Sequence, residues 1–247
     1  MVGILFSLIF LASPLYADQI GSTYKRNLML FQFVEFGSTF TDVSTHAFAV
    51  SQLGSGFSII SGRNGKALSY TGSGDLSIRL TDAAPYNTLS DLTYAISLRS
   101  NGVGSGITGR EDLLEHNGSA SGTLSCEIQD HFPRWRWAPS GCVADTVDPI
   151  VSATPISSGT WHLLVYSRLN NVVKNIELDG VLIASAATGN CQSVEDTTIE
   201  IGGEGEGGIN FARMDLDEAT LWQTYLTAGE RYQLYTEWDR RKNRITW

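Results

Sequence analysis

A chain of 247 residues, 42% hydrophobic and 17% charged with 25 glycines, has enough apolar material for one large core and many tight turns. Its formal net charge of −9 excludes a phosphate-reading surface, which needs clustered Lys and Arg. The one basic run, Arg240, Arg241 and Lys242 with Arg244, reads as the solvated tail of a last helix.

Residues 1–17, MVGILFSLIFLASPLYA, read as a secretory signal. An apolar stretch over 2–12 is followed by Leu15, Tyr16 and Ala17 as a cleavage box before Asp18. No Lys or Arg precedes Lys25, so the usual basic start is missing, and an uncleaved apolar arm is the competing reading. The expectation is an exported or cell-surface protein in which residues 18–247 form one domain.

The pattern beyond the signal is that of a β protein. Residues 28–36, LMLFQFVEF, are largely apolar on both faces, as in a strand covered on two sides. Short apolar pieces follow at 48–50 and 57–60. Gly62 and Gly65 make a turn into a strand at 67–70, and a further strand occupies 76–80. The glycines before Lys66 lack phosphate-loop spacing, and no helix follows them. Residues 92–100, LTYAISLRS, alternate cleanly, with Leu92, Tyr94, Ile96 and Leu98 on one face. Residues 101–109 read as a glycine-rich loop. Strands are predicted at 113–114, 124–128 and 134–137, and Asn117-Gly118-Ser119 fits a glycosylation sequon or an ordinary turn.

The segment 159–185 organises the rest. Trp161 opens one strand, residues 172–178 form a second, and Asp179-Gly180 turns the chain into Val181, Leu182 and Ile183. An Asp-Gly pair between apolar, β-branched runs is a strong hairpin signal, because both central turn residues need positive φ. Strands at 197–201 and 214–222 flank an acidic glycine loop, GGEGEGG, and Thr227 with Glu230 forms a capping box for a short helix.

The words GKALSY at 65–70, LTYAIS at 92–97, GTWH at 159–162, LDG at 178–180, IEIG at 199–202 and MDLDEA at 214–219 occur in an order that resembles the laminin G-like branch of the concanavalin A-like lectin/glucanase superfamily. The resemblance runs over about 28–235 and implies an all-β, two-sheet antiparallel jelly-roll sandwich with a short C-terminal helix. It implies little about function, since the fold hosts lectins, adhesion modules, glucanases and structural domains; together with the export signal and the missing acid motif, the expectation is a secreted, non-catalytic binding module for carbohydrate or an extracellular protein surface. A structural brick of a surface layer, filament or particle coat is the alternative. A glycoside hydrolase would need a pair of carboxylates on one groove wall. The alternating acids of the superfamily's glucanases are absent, although Asp215 and Asp217 alternate on one strand and Glu177 and Asp179 on another.

Three site expectations follow. Glu204 and Glu206 match the acidic loop that supplies calcium ligands in the distantly related pentraxins, and calcium favours several carboxylate and carbonyl oxygens. The pentraxins' earlier Asp-Asn pair has no counterpart here. Trp135 and Trp137 share one strand face opposite Arg134 and Arg136, as a sugar-stacking pair or as core. Of the three cysteines, Cys126 with Cys142 closes the shortest loop, worth about 3 kcal/mol if bridged, and Cys142 with Cys191 is the rival pairing. The histidines, His162 included, show no spacing for a metal or a nucleophile–base pair.

Overall fold

The computed structural model describes residues 29–36, 39–42, 49–53, 57–63, 66–70, 77–81, 88–101, 109–118, 122–138, 149–190, 193–194, 198–203 and 213–241. In chain order the strands are β1 (Met29–Phe36), β2 (Thr39–Asp42), β3 (Ala49–Leu53), β4 (Phe57–Ser61), β5 (Lys66–Tyr70) and β6 (Ser77–Thr81). There follow β7 (Thr88–Leu89), β8 (Leu92–Ser100), β9 (Arg110–Gly118), β10 (Gly122–Gln129), β11 (Phe132–Ala138) and β12 (Ile150–Val151). The last are β13 (Trp161–Leu169), β14 (Val173–Leu178), β15 (Val181–Ala186), β16 (Ser193–Val194), β17 (Thr198–Ile201) and β18 (Met214–Trp222), before the helix α1 (Ala228–Arg241).

Two antiparallel sheets face each other. One runs β15-β14-β13-β8-β18-β1-β2, with β5 beside the first half of β18 and β4 beside β5. The other runs β12-β11-β10-β9-β17-β6-β3, and β16 pairs with β7 apart from both. Alternation fills the space between the sheets: Tyr94, Ile96 and Leu98 of β8 and Leu164 and Tyr166 of β13 meet Leu124, Cys126 and Ile128 of β10 and Trp135 and Trp137 of β11. Two phenols bridge the layers. Tyr94 Oη donates to the Leu113 carbonyl at 3.2 Å, and Tyr166 Oη donates to the Glu127 carbonyl at 2.7 Å. Tyr166 also meets the Trp135 indole edge-on, at 5.7 Å between centroids and 82° between planes.

The Asp-Gly hairpin forms as the sequence predicts. Asp179 (φ 51°) and Gly180 (φ 77°) both adopt the left-handed region. A Cβ on Gly180 would lie 2.7 Å from the Tyr235 ring, so the turn needs glycine for space as well as for φ.

The capping box forms too. The Thr227 N–H donates to Glu230 Oε2 at 2.7 Å, and the Glu230 N–H donates back to Thr227 Oγ1 at 3.4 Å. The helix lies on the outer face of the larger sheet, where Leu226, Leu234 and Trp238 pack on Ala95, Leu163, Val165 and Trp222. Arg231 fixes it there. Its Nε and Nη2 each lie 2.7 Å from Glu177 Oε1 on β14, and its Nη1 donates to the Leu226 carbonyl.

Candidate functional site

On the larger sheet, odd and even positions separate cleanly. Tyr94, Ile96 and Leu98 enter the core, so Ala95, Ser97 and Arg99 face outward. Register then sets one row of side chains across five strands: Trp161 opposite Arg99, Arg99 opposite Asp215, Asp215 opposite Ser69, and Ser69 opposite Ser58. Trp238 and Leu234 of α1 cover the outward residues farther along the sheet, and the row sits at the end where β8 gives way to the exposed Asn101.

Asp215 is the anchor of the row. Its carboxylate is 1% exposed, and its charge is matched at both oxygens. Arg99 approaches Oδ2 with Nε at 2.7 Å and Nη2 at 2.5 Å, while Asn101 Nδ2 donates to Oδ1 at 2.9 Å. The Arg99 side chain is itself 31% exposed and lies over the half-buried Trp161 ring, 5.1 Å from its centroid. A buried acid thus holds a guanidinium and an amide in fixed orientations beside an indole, at the surface. Planar donors with an aromatic neighbour suit vicinal hydroxyls on a sugar ring, and preorganisation lowers the entropic cost of binding.

A second polar arrangement lies at the rim of the sandwich. His162 Nδ1 is 2.7 Å from Asp179 Oδ2, and His162 Nε2 is 2.8 Å from Oγ of the exposed Ser157. Asp179 Oδ1 accepts the Leu163 N–H at 2.9 Å, and the Asp179 N–H donates to the Leu163 carbonyl at 2.9 Å. Sequence spacing gave no nucleophile–base pair for His162. Antiparallel pairing of β14 with β13 brings the three groups together, because it returns Asp179 to the start of β13.

The described part of the outer face of the smaller sheet, on β9, β10 and β11, is charged. Asp112 and Glu127 are fully buried beneath Arg110 and Arg134, whose side chains are 17% and 18% exposed. Ser125 Oγ donates to Asp112 at 3.1 Å and is 2.5 Å from Glu127 Oε1, and Arg134 Nε lies 3.3 Å from Glu127 Oε2. Charge is paired across the cluster, although Glu127 Oε2 and Arg134 Nε make no hydrogen bond among the described residues.

The structure corrects two expectations. Trp135 and Trp137 share a strand face as expected, but that face is the inter-sheet core and both are 0% exposed, so neither offers a ring to a sugar. Cys126 carries a free, buried thiol in the same core, so the expected bridge to Cys142 is not formed. Cys142 and Cys191 lie outside the described residues, as do Glu204 and Glu206. Among the described residues no group of three or more His, Cys, Asp or Glu side chains is arranged to hold a metal. Asp215, weighed as a possible acid, is committed to Arg99 and Asn101.

No family model matches the chain, and no curated protein matches it by sequence. Solved structures do match. The binding domain of Paraclostridial Mosquitocidal Protein 1 superposes with a TM-score of 0.67 at 18% identity, over 85% of this chain and 52% of that one. The binding domain of botulinum neurotoxin DC, solved in complex with rat synaptotagmin II, gives 0.67 at 13% identity, over 86% and 52%. Domain 4 of AbnA, a GH43 extracellular arabinanase from Geobacillus stearothermophilus solved in complex with arabinotriose, gives 0.63 at 14% identity, over 84% of this chain and 98% of that domain. The chain spans about half the length of the toxin binding domains it matches and nearly all of the arabinanase domain. At such identities the likeness is one of fold: this chain is an antiparallel β-sandwich like those of the toxin and arabinanase domains.

Proposed function

We propose that the chain is an exported binding module of the laminin G-like kind that takes carbohydrate, without catalysis there, on the row formed by Trp161, Arg99, Asp215 and Asn101. The observation that carries this reading is the Asp215 carboxylate, buried and bonded on both oxygens, which presents Arg99 and Asn101 at the surface beside an indole. The arabinanase domain supports it, since a sandwich of this size was solved with arabinotriose. A glycan array followed by calorimetry tests it. Binding of an oligosaccharide by the native chain, weakened at least tenfold by Arg99→Ala, is the expected result. Absence of binding across the array, or full affinity in Arg99→Ala, would overturn it.

Calcium belongs to the proposal through Glu204 and Glu206. Calorimetric titration with calcium is expected to give a signal that Glu204→Gln with Glu206→Gln removes. No heat in the native chain would discard the ion.

A protein surface is the second reading. It is favoured by Val181 and Leu182, 62% and 55% exposed on the edge strand β15, and by the 61% exposed Tyr232 on α1. The neurotoxin domain solved with synaptotagmin II supports a protein partner for a sandwich of this kind. An array that stays blank, together with a partner captured from culture medium and lost in Leu182→Asp, would favour it.

A further inference from the structure

We propose that Ser157 is an acyl-accepting nucleophile, activated by His162 and oriented by Asp179, which gives the chain an esterase activity toward small, accessible carboxylic esters. The inference goes beyond the binding reading and does not depend on it, because Ser157, His162 and Asp179 take no part in the Arg99 row.

The geometry sets the roles. An ionised carboxylate only accepts hydrogen bonds, so the 2.7 Å contact of Asp179 Oδ2 places the proton of a neutral His162 on Nδ1. His162 Nε2 is then the acceptor, and the Ser157 hydroxyl donates to it across 2.8 Å. That is the tautomer a general base needs. Asp179 cannot swing away easily, because its second oxygen holds the Leu163 N–H and its own N–H holds the Leu163 carbonyl. His162 is 8% exposed, so its ring is fixed by packing, whereas Ser157 stands in solvent on the loop before β13.

The reaction balances without a further reagent. Ser157 Oγ bonds to the ester carbonyl carbon as its proton passes to His162 Nε2. Collapse of the tetrahedral adduct breaks the bond to the alcohol oxygen, which leaves with that proton. Water then attacks the acyl group on Oγ, gives its proton through Nε2 back to Ser157, and releases a carboxylic acid. Ser157 is exposed, which suits a short acyl group such as acetyl.

The test reads covalent capture and turnover in the full chain. A fluorophosphonate probe, with peptide mass spectrometry, is expected to label Ser157 once per chain, and p-nitrophenyl acetate is expected to show a matching burst. Ser157→Ala should abolish both, and Ser158→Ala should leave both intact. His162→Ala and Asp179→Asn should each slow labelling by at least about 10²-fold, the range general-base catalysis contributes. Circular dichroism confirms folding of each variant, and Asp179→Asn serves if His162→Ala does not fold. A purely structural hydrogen-bond chain gives another result: no label on Ser157, or labelling within about threefold of native when His162 or Asp179 is replaced. Either outcome overturns the proposal.

Discussion

Replacing Glu177 by Ala should be among the most damaging single changes outside the core, and the reason is its partner. Arg231 is 3% exposed and Glu177 6%, so the ion pair between them is taken out of water. Burial works against the Arg231 charge, but the bonds to Glu177 and the nearby Tyr225 more than offset it, and its pKa stands above the ordinary value. Without Glu177 the guanidinium keeps, among the described residues, the Leu226 carbonyl and Tyr225, whose ring centroid lies 5.0 Å from its carbon. Breaking a buried pair in this way costs about 3–5 kcal/mol. In a chain of this size that corresponds to a fall in Tm of roughly 6–20 °C. Urea unfolding followed by tryptophan fluorescence reads the loss, since Trp238 on the helix packs with Trp222 of the sheet beneath it. The double variant Glu177→Leu, Arg231→Met removes both charges and is expected to recover all but about 1 kcal/mol. A loss below 1 kcal/mol in Glu177→Ala, or a double variant as weak as the single one, would refute the reasoning.

Other outcomes follow from the same structure. Trp135→Ala should cost about 3–5 kcal/mol in urea unfolding, as a fully buried aromatic, while an equally stable variant would deny its place in the core. Burial pushes the Glu111 carboxyl up from 4.5 to about 7, only partly offset by the 3.1 Å bond from the Arg213 N–H. Because the folded pKa is raised, its contribution is complete below pH 4.5 and is lost as pH rises to 7, a loss of roughly 3 kcal/mol. Glu111→Gln should therefore gain on the native chain in urea midpoint between pH 4.5 and 7, and parallel pH profiles would contradict this. Burial, with Glu127 and Asp112 nearby, raises the Cys126 thiol well above its ordinary pKa, so iodoacetamide should leave it unmodified until the chain is unfolded. Alkylation of Cys126 under native conditions would show that it is not in the core.

The fold was legible because its strands carry their own signals. Alternation over 92–100 and the Asp179-Gly180 turn report local chemistry, and the sheets assemble as these imply. The short strands β2, β7, β12 and β16, of two to four residues, escaped notice because so few residues cannot display a period. The site was far less legible. Alternation places Trp135 and Trp137 on one face, but an aromatic strand face reads the same whether it meets a second sheet or water. Only the partner layer, here Tyr166, decides. The Arg99–Asp215 pair spans 116 positions and exists because β8 and β18 are neighbours, a fact of topology that neither segment states. The His162–Asp179 contact is nearer in sequence, 17 positions apart, but it comes from the pairing of β13 with β14, which the turn at Asp179-Gly180 does not state.

The most direct measurement is backbone amide NMR during titration with the oligosaccharide that calorimetry identifies. The account predicts progressive shifts centred on Arg99, Asn101, Trp161 and Asp215, with Glu127 and Arg134 on the opposite sheet unmoved. Shifts confined to the Glu127–Arg134 face, or spread over no contiguous patch, would contradict it.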